Sequence, residues 1–141
     1  MSEIPEIRAA LARRLASIPG LNAADVWPDA VDPPMAIVHG PSNSDYELTF
    51  GGNAAQYTFE ITVIVDISAL RGLATAQREL DAYIGRRGPY SIEAALLADP
   101  TLGGLCDTLF VRGIRSYGQI DVNDNDHRYA AGIELDVRTA C

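Results

Sequence analysis

The sequence predicts an α+β fold, a mainly antiparallel β-sheet with two to three helices packed on it, and three stretches carry that expectation. Residues 57 to 67 alternate apolar and polar side chains, residues 4 to 18 repeat apolar side chains at three- and four-residue steps, and residues 129 to 137 return to alternation. Alternation puts one set of side chains on one face of a strand, while the longer step collects them on one stripe of a helix. Helices laid on a sheet are the simplest packing of such elements.

In the opening helix Ile4, Ile7, Leu11, Leu15 and Ile18 form the apolar stripe, and Pro5 suits the first turn. Glu6 comes early and Arg13 and Arg14 late, which complements the helix dipole, and Pro19-Gly20 supplies the stop. Pro28, Pro33 and Pro34 then predict an irregular crossing over residues 21 to 34. A short strand follows at Met35-Ala36-Ile37-Val38. The segment Gly40-Pro41-Ser42-Asn43-Ser44 separates it from a second strand, Tyr46-Glu47-Leu48-Thr49-Phe50, and Gly51-Gly52-Asn53 forms a turn.

The clearest strand is 57 to 67, with Tyr57, Phe59, Ile61, Val63, Val65 and Ile67 on one side and Thr58, Glu60, Thr62 and Asp66 on the other. Leu73, Ala76, Leu80, Tyr83 and Ile84 mark a central helix ending near Gly85 and Arg86-Arg87. Ser91 is placed to cap a short helix through Ile92, Ala95 and Leu96, closed by Asp99-Pro100 and followed by the Leu102-Gly103-Gly104-Leu105 loop. Alternation resumes over 107 to 117 through Leu109, Val111 and Tyr117. A polar loop over 118 to 128 leads to the last strand, with Tyr129, Ala131, Ile133, Leu135 and Val137 inward.

A chain of 141 residues falls in the size range of one domain, residues 1–141, and buries about 70% of its unfolded surface. The hydrophobic fraction of 48% and charged fraction of 21% are those of a globular chain. No apolar run reaches the ~18 residues of a transmembrane helix, and residues 1 to 20 mix charge with apolar side chains, so neither a membrane partner nor export is expected. Cys106 and Cys141 read as reduced thiols with no structural disulfide.

The formal charge is −8, from 19 acidic residues against 11 basic ones, and all the basic residues are arginine. Lacking lysine, the chain is excluded from Schiff-base chemistry and from the P-loop lysine. The acidic balance argues against a broad phosphate-neutralising surface, yet suits a wall past which DNA slides.

Sites of chemistry are sparse. The two histidines, His39 at a strand end and His127 in the polar loop, offer few parts for acid–base or metal work, so no metal is expected. Residues 121 to 126, Asp-Val-Asn-Asp-Asn-Asp, resemble the opening of an EF-hand loop. However, Asp126 stands where that loop needs glycine and Gly132 where it needs glutamate, so a solvated hairpin tip is expected. Gly51-Gly52 and Gly103-Gly104 lack phosphate-loop spacing and read as turns, and Cys106 has no basic neighbour in sequence and reads as a buried, inert thiol. Arg112 and Arg115, three apart in a strand, are expected on opposite faces, each pairing with carboxylates. Neither a catalytic residue nor a cofactor is expected.

The order of elements resembles the tail terminator proteins of long-tailed, siphovirus-type phages, particularly those infecting actinobacteria. The residues that carry the likeness are spread over most of the chain. They are Ile7-Arg8-Ala9-Ala10-Leu11-Ala12, Trp27-Pro28-Asp29 with Pro33-Pro34, the strand Tyr57 to Ile67, Ala76-Gln77-Arg78-Glu79-Leu80-Asp81, Ser91-Ile92-Glu93-Ala94-Ala95-Leu96, Thr101-Leu102-Gly103-Gly104 and the closing strand. The resemblance implies a virion protein, assembled in the host cytoplasm into a homohexameric ring at the head-proximal end of the tail. Such a ring stops tube polymerisation and meets the major tail tube protein and the head–tail connector or stopper, while genomic DNA passes without sequence-specific binding.

For the contacts of such a ring, the sequence offers the loop Asn43 to Gln56 with Tyr46 and Phe50, the tip Gln119 to Arg128 with Asp121, Asp124 and Asp126, and Arg112 and Arg115. Three other readings compete. A neck connector or stopper is separated by position in the particle, a phage-encoded inhibitor by absence from it, and a small ligand-binding enzyme subunit by metabolite binding.

Overall fold

The computed structural model describes residues 3–26, 34–46, 55–67, 72–104, 106, 108–121 and 127–139. Its elements run α1 (Glu3–Ala16), β1 (Asn22–Ala24), β2 (Met35–Tyr46), β3 (Ala55–Ile67), α2 (Gly72–Ile84), α3 (Ile92–Leu97), β4 (Thr108–Asp121) and β5 (His127–Thr139). The strands form one five-stranded sheet in the order β1-β2-β3-β5-β4. The β1–β2 pair is parallel and the other three pairs are antiparallel. This is the expected α+β class with three helices.

The core forms between one face of the sheet and the helices. Ile7, Leu11 and Leu15 of α1, Ala76, Leu80 and Tyr83 of α2, and Ile92 and Leu96 of α3 meet Phe59, Ile61, Val63 and Val65 of β3 and Ile133, Leu135 and Val137 of β5. Most of the expected stripes are buried, with Ile4, Ile84, Ala95 and Tyr129 partly so and the side chains of Ile67 and Leu73 outside those described, and full burial of each large side chain stabilises the fold by about 1.5–3 kcal/mol. The opposite face carries a small second cluster of Met35, Ile37 and Ile64, backed by Ala24 and Ala130.

Local signals act as expected at α3. Ser91 is its N-cap, with extended backbone, and its Oγ accepts from the Ala94 amide at 3.1 Å while donating to the Gly85 carbonyl. Beyond the helix, Leu102, Gly103 and Gly104 all have positive φ. Leu102 is held there with its side chain buried.

The structure corrects the sequence expectations at several points. The crossing over 21 to 34 contains the short strand β1, which pairs with Met35 to Ile37. The break expected over Gly40 to Ser44 is strand, because a register shift between His39 and Asn43 absorbs Gly40, Pro41 and Ser42 without ending the ladder and β2 runs on to Tyr46, while Glu47 to Phe50 of the second expected strand lie outside the described residues. His39 accordingly lies at that shift, within the strand. The polar loop over 118 to 128 is largely strand, since Gly118 to Asp121 pair with Ala130 to His127. His127 begins β5 and is not a loop residue, because polar side chains do not prevent backbone pairing. Trp27 to Pro33, Phe50, Gly51 to Asn53, Asp124, Asp126 and Cys141 lie outside the described residues. Tyr46, Asp121 and His127 are described in their backbone alone.

Replacing Ser91 with alanine removes the cap of α3 and is expected to lower stability by about 1 kcal/mol. Urea unfolding should show a lower midpoint with an unchanged slope.

Candidate functional site

The richest side-chain chemistry gathers where β4 meets β5. A strand alternates its faces, but β4 shifts register twice, between Val111 and Gly113 and between Ile114 and Ser116. Arg112 and Arg115 are the two residues left out of the ladder. Gly113, with φ of 151°, supplies backbone at the first shift that side-chain-bearing residues rarely adopt. The inward set on β4 thus runs Leu109, Val111, Ile114 and Tyr117, facing Val137, Leu135, Ile133 and Ala131.

The expectation that Arg112 and Arg115 point to opposite faces fails for this reason. Both reach the same carboxylate on the face without helices: Arg112 Nη1 lies 3.1 Å from Glu134 Oε1 and Arg115 Nε 3.0 Å from Glu134 Oε2. Arg112 Nε also approaches Asp136 Oδ2 at 3.6 Å, and Thr58 Oγ1 donates to Asp136 Oδ1 at 2.7 Å. Their expected pairing with carboxylates holds, and sequence spacing could reveal the shared face only if the bulges were known.

The arrangement answers an electrostatic problem posed by β3 and β5. Glu60 sits directly opposite Glu134, with Thr58 opposite Asp136. Like charges opposite one another destabilise a sheet. Arginines from β4 offset this on one side, and on the other His39 Nε2 lies 2.8 Å from Thr62 Oγ1 and 4.0 Å from Glu60 Oε1. His39 is thus hydrogen-bonded on this face. Gly132 makes room for this row, because a Cβ there would lie 2.5 Å from Glu60 Oε1.

The pairs are layered. Glu134 and Asp136 side chains are 15% and 4% exposed, whereas Arg112 and Arg115 are 53% and 64% exposed. Arg86 repeats the pattern on the helix side, 86% exposed over a Glu93 that is 12% exposed, at 2.9 Å. The hydrogen bond and the charge of Glu93 hold the Arg86 guanidinium still more firmly protonated. Carboxylates lie beneath, and guanidinium groups face solvent.

Between the end of α2, α3 and the bulged part of β4 lies a cleft of about 320 Å³, walled by Ile84, Val111, Ile114 and Ile133 and rimmed by Arg86 and Arg112. Phe110, Ile114 and Tyr117 of β4 are among the exposed large apolar residues. Tyr117 donates to Asp81 Oδ1 at 2.9 Å and packs on Tyr129 with ring centres 5.7 Å apart, tying the strand to α2. Partial desolvation, then the bond to Asp81, raises its pKa above the ordinary 10.0.

Cys106 is buried as expected, its thiol 3.5 Å from the Pro100 carbonyl. Among the described residues, no three His, Cys, Asp or Glu side chains gather as metal ligands. No helix among the described residues is long and apolar enough to cross a membrane.

No protein-family model and no curated protein matches the chain. Among solved structures, the fold is similar to a chain from the virion of a native gene transfer agent particle, with a TM-score of 0.49 and 18% identity over 96% of this chain and 95% of that one. A likeness at that score and identity assigns no function.

Two outcomes test the site. Gly132→Ala is expected to push the Glu60 carboxylate aside and to change stability by less than about 1 kcal/mol, because the crowding is offset by replacing a strand glycine, and to be stabilising in a Glu60→Ser background. A thermal-melt double-mutant cycle measures the difference. For Tyr117, a raised folded-state pKa means that its stabilising share is whole below about pH 10 and is lost as pH climbs through the folded value. Tyr117→Phe should therefore flatten the fall of melting temperature in that alkaline range.

Proposed function

We propose that the chain is a structural protein of a tailed-phage particle and, within it, the tail terminator. Copies form a hexameric ring at the head-proximal end of the tail, stop the tail tube from growing, and join it to the connector or stopper above. The observation that carries this reading is the β4 edge, a 14-residue strand bearing exposed Phe110, Ile114 and Tyr117 together with outward guanidinium groups. Apolar side chains among arginines are the composition of surfaces that bind other polypeptides. The sequence resemblance to tail terminators, spread over most of the chain, supplies the particular role.

Ring closure asks for two different surfaces on each copy, one to give and one to receive. A sheet whose edge strands are β1 and β4 has two unlike edges. The charge of −8 supports passage of DNA, because an acidic lumen repels phosphate. In this role the chain works by contact and performs no catalysis.

The test is the mass of the purified chain by light scattering, together with peptide mass spectrometry and labelling of purified particles. The expected result is a few copies per particle at the head-proximal tail end. Labelling in the neck above the tail would transfer the role to a connector or stopper. A stable monomer absent from particles would sink the virion reading.

A further inference from the structure

The two edges of the sheet are guarded unequally. On one side β1 covers Met35 to Ile37. Further along β2, Pro41 has no N–H to offer a neighbouring strand, and Arg8 occupies the Gly40 carbonyl at 3.0 Å. On the other side β4 contains no proline and, among the described residues, has no strand beyond it. Its guards are its two register shifts and the charges of Arg112 and Arg115, and an edge blunted by charge still accepts a strand that carries the opposite charge.

A strand added there would meet different chemistry on its two faces. Towards the helices lies the cleft of about 320 Å³, where Ile84, Val111, Ile133 and a 52% exposed Ile114 stand beside Arg86, Glu93 and Arg112. Towards the other face lie Arg112 and Arg115. Arg115 engages Glu134 through Nε, and Arg112 uses Nε and Nη1, so terminal guanidinium nitrogens of both remain without a protein partner among the described residues. The matching segment alternates, apolar on one face and acidic on the other.

Residues 45 to 50 of this same chain have that order, with Tyr46, Leu48 and Phe50 in one phase and Asp45 and Glu47 in the other. Asp45 and Tyr46 close β2 past its guarded stretch, paired with Gln56 and Ala55 of β3. We propose that residues 45 to 50 of a second copy add to the open edge of β4, with their apolar phase in the cleft and their carboxylates on Arg112 and Arg115. The proposal rests on the ring reading for its supply of neighbouring copies. It makes the contact head-to-tail, with a donor segment on one copy and an acceptor edge on the next.

Sedimentation velocity on the full chain tests it. Native protein is expected to assemble, and Ile114→Lys and Phe50→Ser are each expected to return it to monomer. Arg115→Gln, which leaves Glu134 its Arg112 contact, is expected to weaken assembly roughly tenfold. Salt at about 0.5 M should also weaken the native contact. Circular dichroism melts check that each variant folds, and an excess of a synthetic peptide covering residues 43 to 54 should dissociate native assemblies without any substitution. A native ring untouched by the substitutions and by the peptide overturns the docking site and leaves the ring reading standing. A native chain that stays monomeric and binds no peptide overturns it as well, while detection in particles still decides the ring reading separately.

Discussion

Everything in this fold is placed by the pairing of β3 with β5. Their 13-residue ladders run from Ala55 opposite Thr139 to Ile67 opposite His127 without a shift. Because side chains alternate, a slip by one residue would turn Phe59, Ile61 and Leu135 to the face without helices and leave α1, α2 and α3 nothing to cover. Ordering each residue costs about 1–2 kcal/mol of backbone entropy, so the fold depends on that whole apolar face being buried at once. The same register sets Glu60 against Glu134, a repulsion that the neighbouring strands must answer.

They answer it by departing from regularity. The shift in β2 falls just after His39, and the shifts in β4 fall at Arg112 and Arg115. The cationic or hydrogen-bonding groups facing the carboxylate row thus come from irregular points of the flanking strands. The regular centre supplies packing and the irregular margins supply charge, which leaves the guanidinium groups outermost.

Much of the architecture was legible in the sequence because it follows from side-chain period. Phe59 to Val65, Ile7 to Leu15 and the Ser91 cap all occupy the places that spacing and capping chemistry predict. Backbone pairing with distant residues was not legible. Asn22 to Ala24 look like linker yet pair with Met35 to Ile37, and Gly118 to Asp121 are polar yet continue β4. At the candidate site, the pairing of Arg112 and Arg115 with acids followed from their chemistry. Their meeting on Glu134 depended on two bulges whose mark in the sequence is one residue, Ile114, out of phase with Val111 and Tyr117, which two cancelling shifts leave in step. The cleft beside Ile114 was equally hidden, since it is formed by elements far apart in the chain.

That cancellation frees the margin of the protein from its interior. The residues looped out at Arg112 and Arg115 take no place in the ladder, so exchanging them leaves the parity of Leu109, Val111, Ile114 and Tyr117 as it was. The freedom is one of packing alone, because the charges of Arg112 and Arg115 still offset the buried carboxylates of Glu134 and Asp136. Side-chain parity and charge balance are thus kept by different residues of one 14-residue strand.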